Sequence, residues 1–306
     1  MSSSTNFTES WIAGPQSTQF YTRTYTPENT PRAAVVFVHG FAEHIGRYSH
    51  FHPLLRQHDI AVFAFDQRGF GKTALDTEGN KSKESAYGKT SWAEQMVDIA
   101  WAVEHVTKTF SGVPTFLMGH SMGGAETLGF VTQGEKYKHS AAVSSLAGVI
   151  ATSPLILQTK PAPKLLRWVG GKASTVLPHK LIPADVIPGD LSHDAAVNDA
   201  YMKDPLVKHF GSLRGLHDML SNGEALLANL YQNWPKSLPV TSWKASQAFF
   251  DKIPALDKRI QLFQGGFHEL QNEPNGVKEQ LVADVVAFIE AHLQGNTHTP
   301  DERSKM

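Results

Sequence analysis

The 306-residue chain reads as an α/β protein, a mostly parallel sheet flanked by helices, with one helical segment inserted. Three observations predict this. Short apolar runs recur with little polar alternation, as strands buried on both faces require. Helical stretches lie between them, and strands alternating with helices make a parallel sheet. One long proline-rich region then breaks the rhythm, and so long a region is more often a functional insertion than a loop.

The elements follow in order. Phe20–Tyr25 alternates as a half-exposed strand does. Ala33–Val38, Ile60–Phe65, Thr115–Met118 and Ile260–Phe263 are the buried strands, the last interrupted by Gln261. Helical stretches cover Tyr48–Gln57, Ser91–Phe110, Gly123–Thr132, Lys244–Ile253 and the amphipathic Val277–Leu293. Between Pro154 and Leu213 stand Pro154, Pro161, Pro163, Pro178, Pro183, Pro188 and Pro205, among scattered leucine, isoleucine and tryptophan. This segment is expected to form a helical cap (154–213) over the carboxyl edge of a core made of 1–153 and 214–306. The polar tail Gly295–Met306 is expected to fray.

Composition narrows the function. Hydrophobic residues are 41% and charged residues 19%, which excludes a disordered chain. Twenty-eight Lys+Arg against 29 Asp+Glu leave a net charge of −1, without the basic footprint of a nucleic-acid binder. There is no cysteine, hence no disulfide, thiolate metal site or cysteine nucleophile. MSSSTNFTES has neither the basic nor the apolar part of a secretory signal. No apolar run approaches the ~18 residues of a membrane span. A cytoplasmic protein is expected.

The chemistry lies in Pro114–Gly124, P-T-F-L-M-G-H-S-M-G-G. An apolar strand runs straight into Gly119-His120-Ser121-Met122-Gly123, the G-x-S-x-G nucleophile elbow in its strand–turn–helix context. Small residues two before and two after the serine let strand and helix close on a strained turn. The hydroxyl then stands at a helix N-terminus, where amide N–H groups favour developing negative charge. An oxyanion hole needs two backbone donors. Met122, after the serine, supplies one. The loop after Ala33–Val38, His39-Gly40-Phe41, offers the Phe41 N–H as the other.

A base must follow the serine in this chain order. Among 15 histidines, His268 is best placed, on the loop after the last strand and able to reach back over the sheet. Asp66-Gln67-Arg68-Gly69-Phe70-Gly71 lacks phosphate-loop spacing and reads as a turn braced by an Asp or Arg hydrogen bond. No H-E-x-x-H, calcium loop or G-x-G-x-x-G occurs, so no metal and no cofactor is implied.

Four motifs in order carry a resemblance: H-G-F-A-E-H-x-x-R-Y (His39–Tyr48), F-D-Q-R-G-F-G (Phe65–Gly71), G-H-S-M-G-G (Gly119–Gly124) and G-G-F-H-E-L-x-N-E-P (Gly265–Pro274). Together they resemble the monoacylglycerol lipase family of α/β hydrolases, fungal type, over about Phe20 to Leu293. The resemblance implies hydrolysis of monoacylglycerol to fatty acid and glycerol, with Ser121 as nucleophile and His268 as base. It places Glu43, His44 and Arg47 in a polar loop beside the substrate. It also implies a cap that carries the acyl-chain pocket and rests on membranes or lipid droplets. A lysophospholipase or carboxylesterase would use the same machinery, and a non-catalytic lipid-binding protein is the reading from another class.

One departure stands out. The family carries an apolar run ending in H-G-x-x-D before a segment like Val240–Gln247, and that strand and aspartate supply the triad acid. Here Ser237-Leu238-Pro239 leads directly into Val240. The chain is therefore expected to lack the penultimate strand and its acid. Asp251, Asp257, Glu269, Glu273, Asp190 and Asp194 are poor substitutes; Asp257 begins the last strand, about 20 Å from its far end. Loss of a triad acid lowers turnover by ~10⁴-fold.

Overall fold

A computed structural model describes residues 7–158, 163–243 and 247–293. The tail Gly295–Met306 and the start of the expected Lys244–Ile253 helix lie outside the described residues. The elements run β1 (Thr8–Ala13), β2 (Gln19–Tyr25), β3 (Ala33–Val38), α1 (His52–Arg56), β4 (Ile60–Phe65), α2 (Gly71–Leu75), α3 (Trp92–Thr109), β5 (Thr115–His120), α4 (Met122–Thr132), α5 (Ser140–Ser144) and β6 (Leu146–Thr152). Then come α6 (Lys164–Val176), β7 (Leu181–Pro183), α7 (Ala195–Lys203), β8 (Phe210–Ser212), α8 (Leu213–Ala228), β9 (Val240–Trp243), α9 (Gln247–Lys252), β10 (Lys258–Gln261) and α10 (Val277–Ala291).

Eight strands form one sheet in the order β1-β2-β4-β3-β5-β6-β9-β10. Only β2 runs antiparallel to its neighbours, β1 and β4. The continuous apolar runs have the expected cause. Alternate residues of β3 face opposite sides: Ala34, Val36 and Val38 pack with α3 and α4, while Val35 and Phe37 pack with α1 and α10. Both faces are covered, so neither parity can be polar. α3 starts where sequence chemistry says it should, with the Ser91 side chain accepting from the Glu94 N–H.

The expected gap in the sheet is not there. β9 lies between β6 and β10, parallel to both, with Val240 opposite Val149 and Lys258 and Trp243 opposite Thr152 and Gln261. The open edge of β6 would leave buried backbone groups unpaired, and any four extended residues at this point satisfy them. Val-Thr-Ser-Trp does so with two β-branched residues and no apolar run, so it does not look like a buried strand. Val240 is nonetheless fully buried, and Val149 N–H donates to Pro239 just ahead of it at 3.0 Å. β10 also begins two residues earlier than expected and leaves Phe263 outside.

Between β6 and β9 the chain leaves the sheet for α6, α7 and α8. The antiparallel pair β7–β8 joins the parts that flank α7.

Candidate active site

Ser121 sits between β5 and α4 with φ 56° and ψ −117°, a conformation that strains any side-chain-bearing residue. Its neighbours explain how the strain is held. A Cβ on Gly119 would lie 2.2 Å from the Gly123 carbonyl oxygen, and one on Gly123 would lie 2.2 Å from that of Val38. Only glycine lets α4 approach β5 and β3 this closely. Backbone bonds fix the turn from the next strand: Ser121 N–H donates to Thr152 at 2.9 Å, and Leu155 N–H donates to the Ser121 carbonyl at 2.9 Å.

His268 arrives from 147 residues further on. Its Nε2 is 2.9 Å from the Ser121 Oγ. Its loop is held on two sides. Ser153 Oγ donates to the His268 carbonyl at 2.8 Å. The Asp190–Leu191 backbone runs alongside, taking the N–H of His268 on the Asp190 carbonyl at 3.1 Å and that of Glu269 on Leu191 at 2.8 Å. His193 closes the strap, 2.6 Å from Glu273 and stacked 3.7 Å from Phe267.

Met122 is the first residue of α4, where an N–H has no acceptor within the helix. Among the described residues no acceptor takes the Phe41 N–H either. The preceding Gly40 N–H is occupied by Glu43 Oε1. A Cβ on Gly40 would be 3.1 Å from the Ser121 Cβ, so this loop packs against Ser121. His39 is fully buried and its imidazole pushed down to about 4, burial outweighing the pull of Glu43. It is a neutral brace, accepting the Gln67 N–H at 2.9 Å. The Asp66–Gly71 turn is braced as expected: Asp66 accepts from Ile45 and Lys72 N–H groups at 2.8 and 2.6 Å, and Arg68 binds Asp98 bidentately at 2.7 and 2.9 Å.

Glu43, His44 and Arg47 are committed to protein groups. Arg47 bridges Glu43 at 2.7 Å and Glu269 at 2.6 and 2.8 Å, with its guanidinium 4.7 Å from the Tyr201 ring centre. Tyr48 O–H donates to Glu43 at 2.7 Å. His44 binds Asp204 at 2.8 Å. Burial alone would raise the Glu269 carboxyl, but Arg47, His120 and Asn272 outweigh it and hold it below the usual range. The sequence reading missed Glu269, His120 and Tyr201 as parts of the site. An arginine in the otherwise apolar turn Ile45–Tyr48 was the available signal, because a buried guanidinium needs counter-charges.

Five of the six acids weighed as substitutes have partners other than the His268 ring. Glu269 serves Arg47, Glu273 serves His193, Asp257 serves His292 at 3.0 Å, Asp251 accepts from Gln247 at 2.8 Å, and Asp194 caps α7. Asp190 meets His268 through its backbone carbonyl.

Beside Ser121, Phe70, Met122 and Met219 form an apolar cluster extended by Phe41, Leu216 and Leu220. Leu216 and Leu220 also line a cavity of about 650 Å³ beneath α6, together with Trp168 and Ile182. Among the described residues no cluster of His, Asp or Glu could hold a metal ion, and no helix is long and apolar enough to cross a membrane.

The family model described as Hydrolase_4, serine aminopeptidase S33, matches residues 29–275. The protein named "Putative monoglyceride lipase" from Schizosaccharomyces pombe is 33% identical, over 92% of this chain and 74% of its own. Among solved structures, a soluble variant of the Saccharomyces cerevisiae monoglyceride lipase superposes with a TM-score of 0.77 at 21% identity, covering 95% of this chain and 96% of its own. The Paleococcus ferrophilus monoacylglycerol lipase follows at 0.73 and 25%, covering 89% and 99%.

Proposed function

The chain belongs to the monoacylglycerol lipase family of α/β hydrolases, within the Hydrolase_4, serine aminopeptidase S33 grouping, and on that premise we propose that it hydrolyses monoacylglycerol to fatty acid and glycerol. The observation that carries this is the 2.9 Å contact between Ser121 Oγ and His268 Nε2 at a strained elbow. His268 takes the hydroxyl proton as Ser121 Oγ attacks the ester carbonyl. The Phe41 and Met122 N–H groups receive the oxyanion. The proton then passes from His268 to the departing glycerol oxygen. Water, deprotonated by His268, next releases the fatty acid and restores Ser121.

The 650 Å³ cavity is the proposed acyl site. It is of ligand size and mostly apolar, with the Arg167–Glu224 ion pair and His217 in its lining, and it shares Leu216 and Leu220 with the apolar cluster that holds Met122. Between β6 and β8, Leu157, Val176, Leu177 and Ile187 stand half or more exposed. Such a patch fits a peripheral contact with a membrane or lipid droplet.

The test is a monoolein assay beside fluorophosphonate labelling. The parent chain should label at Ser121 and release oleate, and Ser121→Ala should do neither. Labelling and turnover that survive in Ser121→Ala would overturn the reading.

A further inference from the structure

The buried charges beside His268 do not cancel. Two carboxylates, Glu43 and Glu269, meet one guanidinium, Arg47. All three are nearly sealed from water, with side chains 3–9% exposed. Their formal sum is one negative charge in a medium where charges act over longer distances than in water. The cluster also joins the two halves of the site. Glu43 holds the Gly40 N–H and the Tyr48 hydroxyl on the oxyanion loop. Glu269 directly follows His268 and is pinned by Arg47 and by the Asn272 amide at 2.6 Å. His120, within the elbow, bridges the groups. Its ring centre is 5.0 Å from that of His268, and its Nδ1 is 3.0 Å from Thr152 Oγ1.

We propose that Glu269, oriented by Arg47, is a positioning residue whose negative charge favours the imidazolium that His268 becomes when Ser121 gives up its proton. This rests on the serine-hydrolase reading above. The logic is that of any general base. Its cation must be tolerated in the transition state, and a nearby fixed anion lowers that cost. Arg47 has the opposite effect on charge and a necessary one on place: without it, two carboxylates would be buried uncompensated. The other titratable groups facing the cluster are His39 and Tyr48 on the oxyanion-loop side, the His44–Asp204 pair, Tyr201 from α7, and the His193–Glu273 pair behind the His268 loop.

The experiment follows the His268 imidazole by NMR titration of the full chain, assigned with His268→Gln, and the acidic limb of kcat/KM in parallel. Glu269→Gln should move both midpoints down by about one unit. Arg47→Gln should move them up. A purely structural role would lower stability or kcat and leave the midpoints in place, and that result overturns the proposal. The opposite signs keep the test decisive if one variant does not fold, because either alone fixes a direction. Midpoints that shift as stated in a chain that neither labels at Ser121 nor turns over monoolein would overturn the hydrolase reading and leave the charge coupling standing. Labelling and turnover with unmoved midpoints would do the reverse.

Discussion

Replacing Glu126 by glutamine should remove a pH-dependent load on the fold. Glu126 lies on α4, little more than a turn beyond Ser121, and is fully buried. Among the described residues neither carboxylate oxygen has a hydrogen-bond partner. Burial pushes the carboxyl up to about 8; the nearby Gln67 side chain opposes the rise and the Asp98 charge adds to it. In the unfolded chain the same group ionises near 4.5. Between those values the folded protein keeps a proton that the unfolded chain has lost. Its contribution to stability is therefore whole below about 4.5 and drains as pH climbs to about 8. The loss runs at about 1.4 kcal/mol per pH unit and totals at most about 5 kcal/mol, as large as the margin of many domains. Glutamine titrates in neither state. Wild type and Glu126→Gln should differ little near about pH 5 and separate by several kcal/mol near about pH 8, the variant being the more stable. Urea unfolding followed by tryptophan fluorescence gives both curves. If they run parallel across that window, the buried carboxyl does not carry the load assigned to it.

Three further outcomes can be checked on the same preparations. Gly123→Ala drives a methyl group into the Val38 carbonyl, and fluorophosphonate labelling of Ser121 should slow by about 10²-fold or more; an unchanged rate would show that the close approach is dispensable. Arg68→Leu strands the buried Asp98 and should cost about 3–5 kcal/mol in denaturant unfolding, most of it recovered in Arg68→Leu/Asp98→Leu; no recovery would place the cost in packing instead. Serine at Val176 and Leu177, exposed on the insertion, should weaken co-sedimentation with phosphatidylcholine vesicles and leave turnover of a soluble ester alone; equal co-sedimentation would remove this surface from lipid contact.

Strand legibility follows from where the stabilisation comes from. β3 and β4 were readable to the residue because helices cover both of their faces, so every position is apolar. β1 escaped notice because it is an edge strand with much of one side in water, and Thr-Glu-Ser-Trp-Ile-Ala carries no such run. β9 escaped for a different reason. Its place is secured by ladder bonds to β6 and β10 on either side, and backbone pairing leaves no trace in side-chain hydropathy. The expected gap was an inference from the family's run and H-G-x-x-D being absent before Val240, whereas the sheet needed only four extended residues, which Val240–Trp243 supply.

The active site divides along the same line. Ser121 was legible because the elbow is a backbone requirement, and a contact at 2.2 Å can be relieved only by glycine. His268 was legible because chain order and the end of the last strand leave it the shortest reach. The charge cluster was not legible, since Arg47 and Glu269 stand 222 positions apart and neither spacing nor periodicity links them. Glu269 was judged a poor partner for the ring of its neighbour, and the structure turns its carboxylate away to Arg47. That geometry does not make it idle. A carboxylate need not touch an imidazole to stabilise its cation when the carboxylate is buried and the ring beside it half-buried. The residue dismissed on hydrogen-bond geometry therefore regains a role through the field it sets up, and only the folded chain brings its counter-charge and His120 close enough to define that field.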